Sequence, residues 1–350
     1  MYKRQRLGSE QANLRRAIEH AVAEPDGTAR ALGLAVALSR YWWVRSRREE
    51  ATSLLSAVLE RPEAQAEPQL LCPALLIGGV FHDLVGPEKA LRSAEQAVEI
   101  ARSLGDERLL VRSLGMLGAV CYFAGQPEVG LPHGEEALAR ARQLGDDVSL
   151  GEGLVLYLLC RQALDPAATG QLYAEALACT RRSGDRFTTY VLRNNAGCMA
   201  LDLGDVATAR AHLDQARQIA QEIGSHTHHV DVNLGWVNRE EGDSDTAAAL
   251  FGATLRAARR HGDRSSTAYA LLGLACCAVD QGAWRRGAVL LGHAEVYRDL
   301  SGTPWLTPEV RYRQLSMERA RAQLGDDEFE RAFAEGRERP PEVTVQLALR

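Results

Sequence analysis

Lysine is almost missing from this chain. It occurs only at Lys3 and Lys89, and arginine supplies nearly all of the positive charge. The 41 basic and 46 acidic residues are interspersed along the sequence and leave a formal net charge of −5. Proteins that bind nucleic acid concentrate basic residues on one face. We therefore expect no direct contact between this chain and nucleic acid.

Long apolar runs are also missing. No run reaches the roughly 18 residues that a membrane-spanning helix needs, so we expect no contact with a membrane and a soluble, cytoplasmic protein. None of the seven cysteines has Cys-x-x-Cys spacing, and they stand singly or as one adjacent pair within helical stretches. This usage is typical of buried, reduced thiols.

Signatures of catalysis and of cofactor binding are missing as well. A phosphate-binding loop of the form G-x-x-x-x-G-K-[ST] requires a lysine after a glycine, and neither lysine stands there. The chain has no G-x-S-x-G and no H-E-x-x-H motif. Acidic pairs such as Glu135-Glu136 are adjacent in sequence, so on a helix they point about 100° apart and form no acid–base pair. We expect no cofactor and no enzymatic activity.

What the chain does have is a repeat of about 39 residues. A glycine that ends a helical stretch recurs at intervals of 40, 39, 40 and 38 residues, and a second glycine series falls between. Two helix breakers per period indicate two helices per unit, stacked into a helical solenoid. The first series is Gly105, Gly145, Gly184, Gly224 and Gly262; the second is Gly86, Gly125, Gly204, Gly242 and Gly282, with Asp165 where a further glycine is expected.

Small residues recur at fixed offsets around the second glycine series. They include Gly197 seven residues before Gly204, Ala209 five residues after it and Ala216 twelve residues after it. Small side chains there let two antiparallel helices cross with their backbones close together. The offsets resemble those of the tetratricopeptide repeat, although the period is about five residues longer and the usual aromatic residue is missing. The resemblance implies an all-α, tetratricopeptide-like α-solenoid, a right-handed superhelix of about six helical hairpins.

The repeat and its flanks predict how the chain is organised. Residues 6–27 contain an N-terminal helix, 28–302 form the repeat array and 303–350 form a C-terminal helical cap. The first repeat unit is degenerate, with helices at 28–45 and 47–60, and contains the aromatic cluster Tyr41-Trp42-Trp43. We expect this cluster to pack against the preceding helix, with a ligand or partner surface as the alternative. Residues 1–5 match the translation of a sequencing-adapter end, so we expect them to be a scar and the natural protein to extend upstream.

Both ends of the chain carry a second resemblance. The segments are Asn13-Leu14-Arg15 through Trp42-Trp43, Leu290-Leu291-Gly292-His293-Ala294-Glu295, Leu324-Gly325-Asp326 and residues 329–336. They resemble the C-terminal helical region of STAND-class signal-transduction ATPases, which occur among bacterial LuxR-type transcriptional regulators. The resemblance implies that this chain is the sensor arm of such a regulator, with a nucleotide-binding domain upstream. The alternative is a free-standing scaffold that clamps a partner protein and has no ATPase attached.

One cluster has part of the pattern of a metal site. His226-x-His228-His229 opens a first helix, and His226 and His229 are three residues apart, so they can share a face. A zinc site needs three or four ligands, and the sequence indicates no third ligand on that face. Cys198 in the preceding unit is the one further candidate. We expect ordinary histidines at a polar helix start and no metal.

The concave surface is the predicted binding site, because the first helix of each unit lines it in tetratricopeptide-like arrays. We expect a protein, a peptide or a small effector to bind there; the alternative is that the same residues pack helices or face solvent. Asn194, Trp236 and Arg239 are the strongest candidates, since an asparagine side chain both donates and accepts hydrogen bonds and Trp and Arg are frequent interface anchors. The predicted groove residues are Arg112, Tyr122, Phe123, Glu152, Gln162, Asn194, His229, Trp236, Arg239 and Tyr269.

Overall fold

The structure, a computed structural model, describes residues 10–306, 308–340 and 348, and within these ranges the regular structure is entirely helical. The predicted adapter scar and residue 307 lie outside the described residues, as do residues 341–347 and 349–350 of the predicted C-terminal cap. The chain begins with three helices: α1 spans Gln11–Ala23, α2 spans Thr28–Val44 and α3 spans Arg48–Leu59. A short 3-10 helix, Pro62–Ala66, leads into the array.

Six antiparallel helical hairpins follow in chain order. Each has a first and a second helix, and a seventh pair at the C-terminus continues the same stacking. The helices are α4 Pro68–Val80 with the short α5 His82–Val85, α6 Pro87–Leu104, α7 Glu107–Phe123, α8 Pro127–Leu144, α9 Asp147–Leu164, α10 Gly170–Ser183, α11 Arg186–Asp202, α12 Val206–Ile223, α13 His228–Glu240, α14 Ser244–Arg260, α15 Arg264–Asp280, α16 Trp284–Ser301, α17 Glu309–Leu324 and α18 Asp326–Glu338. This architecture confirms the tetratricopeptide-like α-solenoid. No helix among those described is long and apolar enough to span a bilayer.

The Gly-Asp pairs end one helix and begin the next. Gly105 has a φ of 64°, in the left-handed region that terminates helices with little strain only at glycine. The next residue, Asp106, accepts a hydrogen bond from the backbone N–H of Leu109 at 3.0 Å and so caps α7. The same aspartate cap recurs at the start of later helices. It is present at Asp146, Asp185, Asp205, Asp243 and Asp263.

The small residues predicted from the repeat lie where helices cross. A Cβ atom on Gly130 of α8 would stand 2.6 Å from the backbone oxygen of Gly118 on α7, which is closer than any side chain tolerates. The two helix backbones are therefore in direct contact. Close crossing of this kind lets hairpins with long helices stack tightly.

The N-terminal hairpin, α2 with α3, contacts helices far along the array. The Trp43 ring, at the end of α2, lies 5.0 Å from the Phe187 ring on α11 in an edge-to-face arrangement. Arg40 on the same helix lies 3.7 Å from Asp185. Trp42 is buried in the same core as Ile18 and other residues of the N-terminal helices. The two tryptophans thus have separate roles: Trp42 packs within the N-terminal core, and Trp43 closes the array onto itself.

Candidate functional site

The first helices of consecutive hairpins lie side by side and form one continuous surface. Helices α4, α7, α9, α11, α13, α15 and α17 each contact the next in this series. We call the surface that these helices share the inner surface. All ten predicted groove residues lie within these helices.

Polar side chains on the inner surface pair with residues about one repeat further on. Arg112 of α7 lies 3.6 Å from Glu152 of α9. Burial raises the pKa of Glu152, and the Arg112 guanidinium opposes that effect. Asn194 of α11 accepts a 2.9 Å hydrogen bond from the amide of Asn233 on α13. Arg112, Glu152 and Asn194 therefore each interact with a residue on a neighbouring first helix.

Trp236 does not line an open groove, so that prediction is wrong. Its side chain is completely buried, with the Tyr312 ring stacked at 4.5 Å on one side and the Phe251 ring at 4.8 Å. The physical reason is that α17 covers α13, and the indole fills the space between them. Gln162 is also buried: it accepts a 2.5 Å hydrogen bond from the Tyr173 hydroxyl and ties α9 to α10.

Arg239, on α13, contacts side chains of two further helices. Its guanidinium donates to Asp280 of α15 at 2.7 and 3.2 Å and lies 5.3 Å from the Tyr312 ring of α17. Arg319 of α17 donates to the same Asp280 carboxylate at 2.6 Å. This arrangement joins the last repeat to the C-terminal pair of helices, and Nε and Nη2 of Arg239 are engaged by Asp280.

A non-helical piece of the chain itself lies on the inner surface. Residues 303–306 have no regular secondary structure. A Cβ atom placed on Gly125, at the end of α7, would stand 2.8 Å from Cγ of Pro304. The Trp305 ring meets the Tyr269 ring at 5.6 Å, edge to face, and the Trp305 indole donates to Glu295 at 3.1 Å.

This inner segment, residues 303–306, leaves little free space beneath it. The cavity beside Tyr269 and Trp305 has a volume of about 10 Å³, which is room for a single water molecule and far below a small-molecule site. Of the predicted groove residues here, Tyr122 and Phe123 contact each other at 5.1 Å. Burial raises the pKa of the Tyr122 and Tyr269 hydroxyls, so both stay protonated.

Glu309 follows the inner segment and is buried at the start of α17. Burial raises the pKa of its carboxyl to about 8, and the Asp202 carboxylate adds to the rise. The Glu309 backbone N–H and the Trp236 indole N–H act in the opposite direction. A carboxyl that is neutral at pH 7 therefore sits between the inner segment and the core.

A second polar cluster joins the N-terminal hairpin to α13 and α15. Asp263 is 1% exposed; its Oδ2 lies 3.2 Å from Nη1 of Arg48 and 3.1 Å from Nε2 of His228. Its Oδ1 accepts the backbone N–H of Ser266 at 2.9 Å. Burial alone would raise the pKa of Asp263, but Arg48 and the neighbouring imidazoles lower it well below its usual range.

Three imidazoles stand beside this carboxylate. One ligand atom from each of His226, His228 and His229 lies within 4.8 Å of the other two. Burial lowers the pKa of His226 and lowers that of His229 to about 3, so these rings are neutral. The sequence indicated no third partner for His226 and His229; the fold supplies His228. Cys198, the other candidate, is not in this group.

Sequence reasoning missed the residues that close the array. His226 and the backbone oxygen of Trp43 are 3.1 Å apart although 183 positions separate them in the chain. Arg48 and Asp263 are separated by 215 positions. No local pattern marks such partners, because each stands in an ordinary place on its own helix. Only the curvature of the whole array brings them together.

The fold and inner surface define a helical-repeat protein of the tetratricopeptide-like class. No protein-family model matches the sequence, and no curated protein matches it. Among solved structures, the chain is similar to a Rap protein complexed with competence and sporulation factor, with a TM-score of 0.54 and 12% identity over 88% of this chain and 100% of that chain. The apo form of RapI gives a TM-score of 0.45 and 16% identity over 92% of each chain. At such identities the likeness concerns the fold alone.

Proposed function

We propose that this protein is a non-catalytic recognition protein that binds an extended segment of a partner protein or a peptide on its inner surface. The observation that carries the proposal is the inner segment itself. Pro304 rests on Gly125 and Trp305 rests on Tyr269, so the surface already accommodates a piece of chain without regular secondary structure. A partner segment with similar chemistry would take the place of residues 303–306.

The side chains around the inner segment suit recognition of a peptide. Tyr269 offers an aromatic ring to an apolar side chain, and Asn194 offers an amide to a peptide backbone. Gly125 has no side chain, so a peptide approaches its backbone closely. The Rap protein of similar fold was crystallised with competence and sporulation factor, which supports the same use of the fold here. A small effector fits less well, since the free volume beside Tyr269 is about 10 Å³.

We further propose that binding is relayed to an ATPase domain encoded upstream, with transcription as the output. This part rests on the resemblance of the two ends of the chain to the sensor arms of STAND-class regulators. A free-standing scaffold that clamps a partner protein is the alternative. Sequencing the genomic locus upstream of Leu7 separates the two: a phosphate-binding loop in the same reading frame supports the regulator, and a stop codon with a ribosome-binding site before Leu7 supports the scaffold.

Selection of binders from a random peptide library on the purified chain tests the binding proposal. The selected peptides should bind Tyr269→Ala and Asn194→Ala variants at least about fivefold more weakly than the unchanged chain, because interface anchors contribute more than about 1 kcal/mol each. Glu135→Ala is the matched control, since Glu135 is exposed on a second helix. Peptides that bind both inner-surface variants normally but lose affinity for Glu135→Ala would place binding on the outer face and contradict the proposal.

A further inference from the structure

The three histidines beside Asp263 have the arrangement of metal ligands. In each of the three rings, one nitrogen lies within hydrogen-bond distance of a protein group, and the other nitrogen has no hydrogen-bond partner in the described part of the chain. A ligating histidine usually has its outer nitrogen fixed in this way by a carbonyl, carboxylate or other polar group. The partners are the Trp43 backbone oxygen for Nε2 of His226 at 3.1 Å, Asp263 Oδ2 for Nε2 of His228 at 3.1 Å and Ser266 Oγ for Nδ1 of His229 at 3.0 Å.

Two of the remaining nitrogens are buried without a partner. Nδ1 of His226 and Nδ1 of His228 are both inaccessible to solvent and have no hydrogen-bond partner among the described residues. The His228 side chain is only 2% exposed. A buried polar atom without a partner is destabilising, so two such atoms on adjacent rings point to a missing ligand. The third nitrogen, Nε2 of His229, lies 3.6 Å from Oδ2 of Asp263, which is beyond hydrogen-bond distance.

We propose that His226, His228 and His229 bind one divalent transition-metal ion of the zinc class, with a water molecule in the fourth position. Tetrahedral zinc with bonds of about 2.0–2.1 Å needs donor nitrogens about 3.3 Å apart, and one ring nitrogen from each of the three histidines lies within 4.8 Å of the other two. The His226 and His228 rings are stacked with their centroids 4.1 Å apart, so binding of one ion by both requires the His226 ring to turn. His226 precedes the first turn of α13 and is outside regular structure, which allows that turn.

The chemistry of the ligands selects the kind of ion. Neutral imidazoles suit zinc, copper, nickel and iron(II), whereas magnesium and calcium require oxygen ligands. Asp263 is the only carboxylate in the cluster, and it is already engaged by Arg48 and the cap of α15. The His229 side chain is 28% exposed and gives the ion a route in.

A bound ion would fix the closure of the array. His226 bonds to the backbone of Trp43 on α2, and His229 bonds to Ser266 on α15. The Trp43 ring also stacks on the His226 ring at 5.1 Å. An ion that orients all three imidazoles therefore connects the N-terminal hairpin to two distant repeats. This inference does not depend on which partner the inner surface binds.

The test uses the full chain, produced without a polyhistidine tag and stripped with a chelator. Titration with Co²⁺ should give the visible absorption of a tetrahedral site, saturating at one equivalent, and Zn²⁺ should displace it. Zn²⁺ should also raise the melting temperature, whereas Mg²⁺ should not, because only a ligand of the folded state stabilises it. No cobalt signal and no zinc-dependent rise would overturn the proposal and would leave an ordered water as the partner of the two nitrogens.

Variants locate the ion. His226→Gln and His229→Gln each remove one ligand and should weaken Co²⁺ binding by at least about tenfold, which is the smallest effect that loss of even a supporting group has on metal affinity. His133→Gln, on α8 and outside the cluster, is the matched control. Circular dichroism confirms that each variant is folded. His229→Gln is the decisive variant, because His229 is partly exposed and its replacement disturbs the packing least. Binding that survives in both cluster variants, or that is lost in His133→Gln, would contradict the assignment.

Discussion

Nη1 of Arg48 lies 3.2 Å from Oδ2 of Asp263, and this buried contact spans 215 positions of the chain. It joins α3 to the start of α15, so the first hairpin and the last repeats close on each other. Because Asp263 also caps α15 and bonds to His228, one carboxylate serves both the local helix and the closure of the array.

Replacing Arg48 with methionine should destabilise the protein by about 3 kcal/mol, because it leaves the Asp263 carboxylate buried without its cation. Urea unfolding followed by circular dichroism measures the loss. Small-angle scattering of the folded variant should show a larger radius of gyration, since the N-terminal hairpin loses its main polar contact. Arg45→Met is the control, because Arg45 is exposed. Equal stability of the two variants would mean that the Arg48–Asp263 pair does not hold the array closed.

The raised pKa of Glu309 predicts a pH-dependent stability. Its pKa is about 8 in the folded protein, against about 4.5 when exposed, so the folded state favours the protonated form. Its stabilising effect is complete below pH 4.5 and is lost as the pH rises through 8. The full effect is at most about 5 kcal/mol. Urea unfolding between pH 5 and pH 9 should therefore show falling stability in the unchanged chain and a flatter profile in Glu309→Gln. Parallel profiles would show that Glu309 ionises normally.

Gly125 and Gly204 form a matched pair for testing the inner segment. Both end a first helix with φ near +75°. Alanine at either position adopts a left-handed conformation that costs about 1–2 kcal/mol. At Gly204 nothing lies within 4 Å of the added Cβ, whereas at Gly125 the Cβ meets Pro304.

Gly125→Ala should therefore lower the free energy of unfolding by about 1–3 kcal/mol more than Gly204→Ala, which is the usual cost of overpacking. Chemical denaturation of both variants measures the difference. If Pro304→Ala, added to the Gly125→Ala variant, recovers the lost free energy of unfolding, the contact between the two residues is confirmed. A difference near zero would show that residues 303–306 do not rest on α7 in solution.

Trp236→Ala should lower the free energy of unfolding. The indole is fully buried between Tyr312 and Phe251, and its removal opens a cavity that costs about 3–5 kcal/mol. Trp284→Ala, where the tryptophan is partly exposed, should cost clearly less. Thermal unfolding of the two variants provides the comparison. A Trp236→Ala protein that melts like the unchanged chain but no longer binds selected peptides would restore the groove interpretation.

The periodic features of the chain were predictable because they are local. Glycines in the left-handed region and aspartate caps act within a few residues, so the sequence predicted helix boundaries closely. The two helices of the first unit were expected at 28–45 and 47–60 and are observed as Thr28–Val44 and Arg48–Leu59. Small residues at helix crossings are equally local, since each serves a pair of neighbouring helices. These features determine the fold class.

The residues exposed on the inner surface were less predictable than the helix boundaries, because their exposure depends on the curvature of the whole array. Asn194 and Tyr269 remain accessible, whereas Trp236 is covered by α17, whose contact with α13 has no counterpart within a single repeat. The partnership of Trp43 with His226 likewise depends on how far the array turns. A repeat pattern describes one step of the superhelix, and small differences between steps accumulate over the array.

The position of residues 303–306 also changes how an affinity for the inner surface must be interpreted. A ligand that binds there competes with a segment tethered at high effective concentration within the same molecule. If the segment leaves the surface in one molecule of about a hundred, the measured dissociation constant is about a hundredfold weaker than the intrinsic one. A substitution at Trp305 that loosens the segment would then tighten binding without touching the ligand, and natural variation at that single residue would set the sensitivity of the protein.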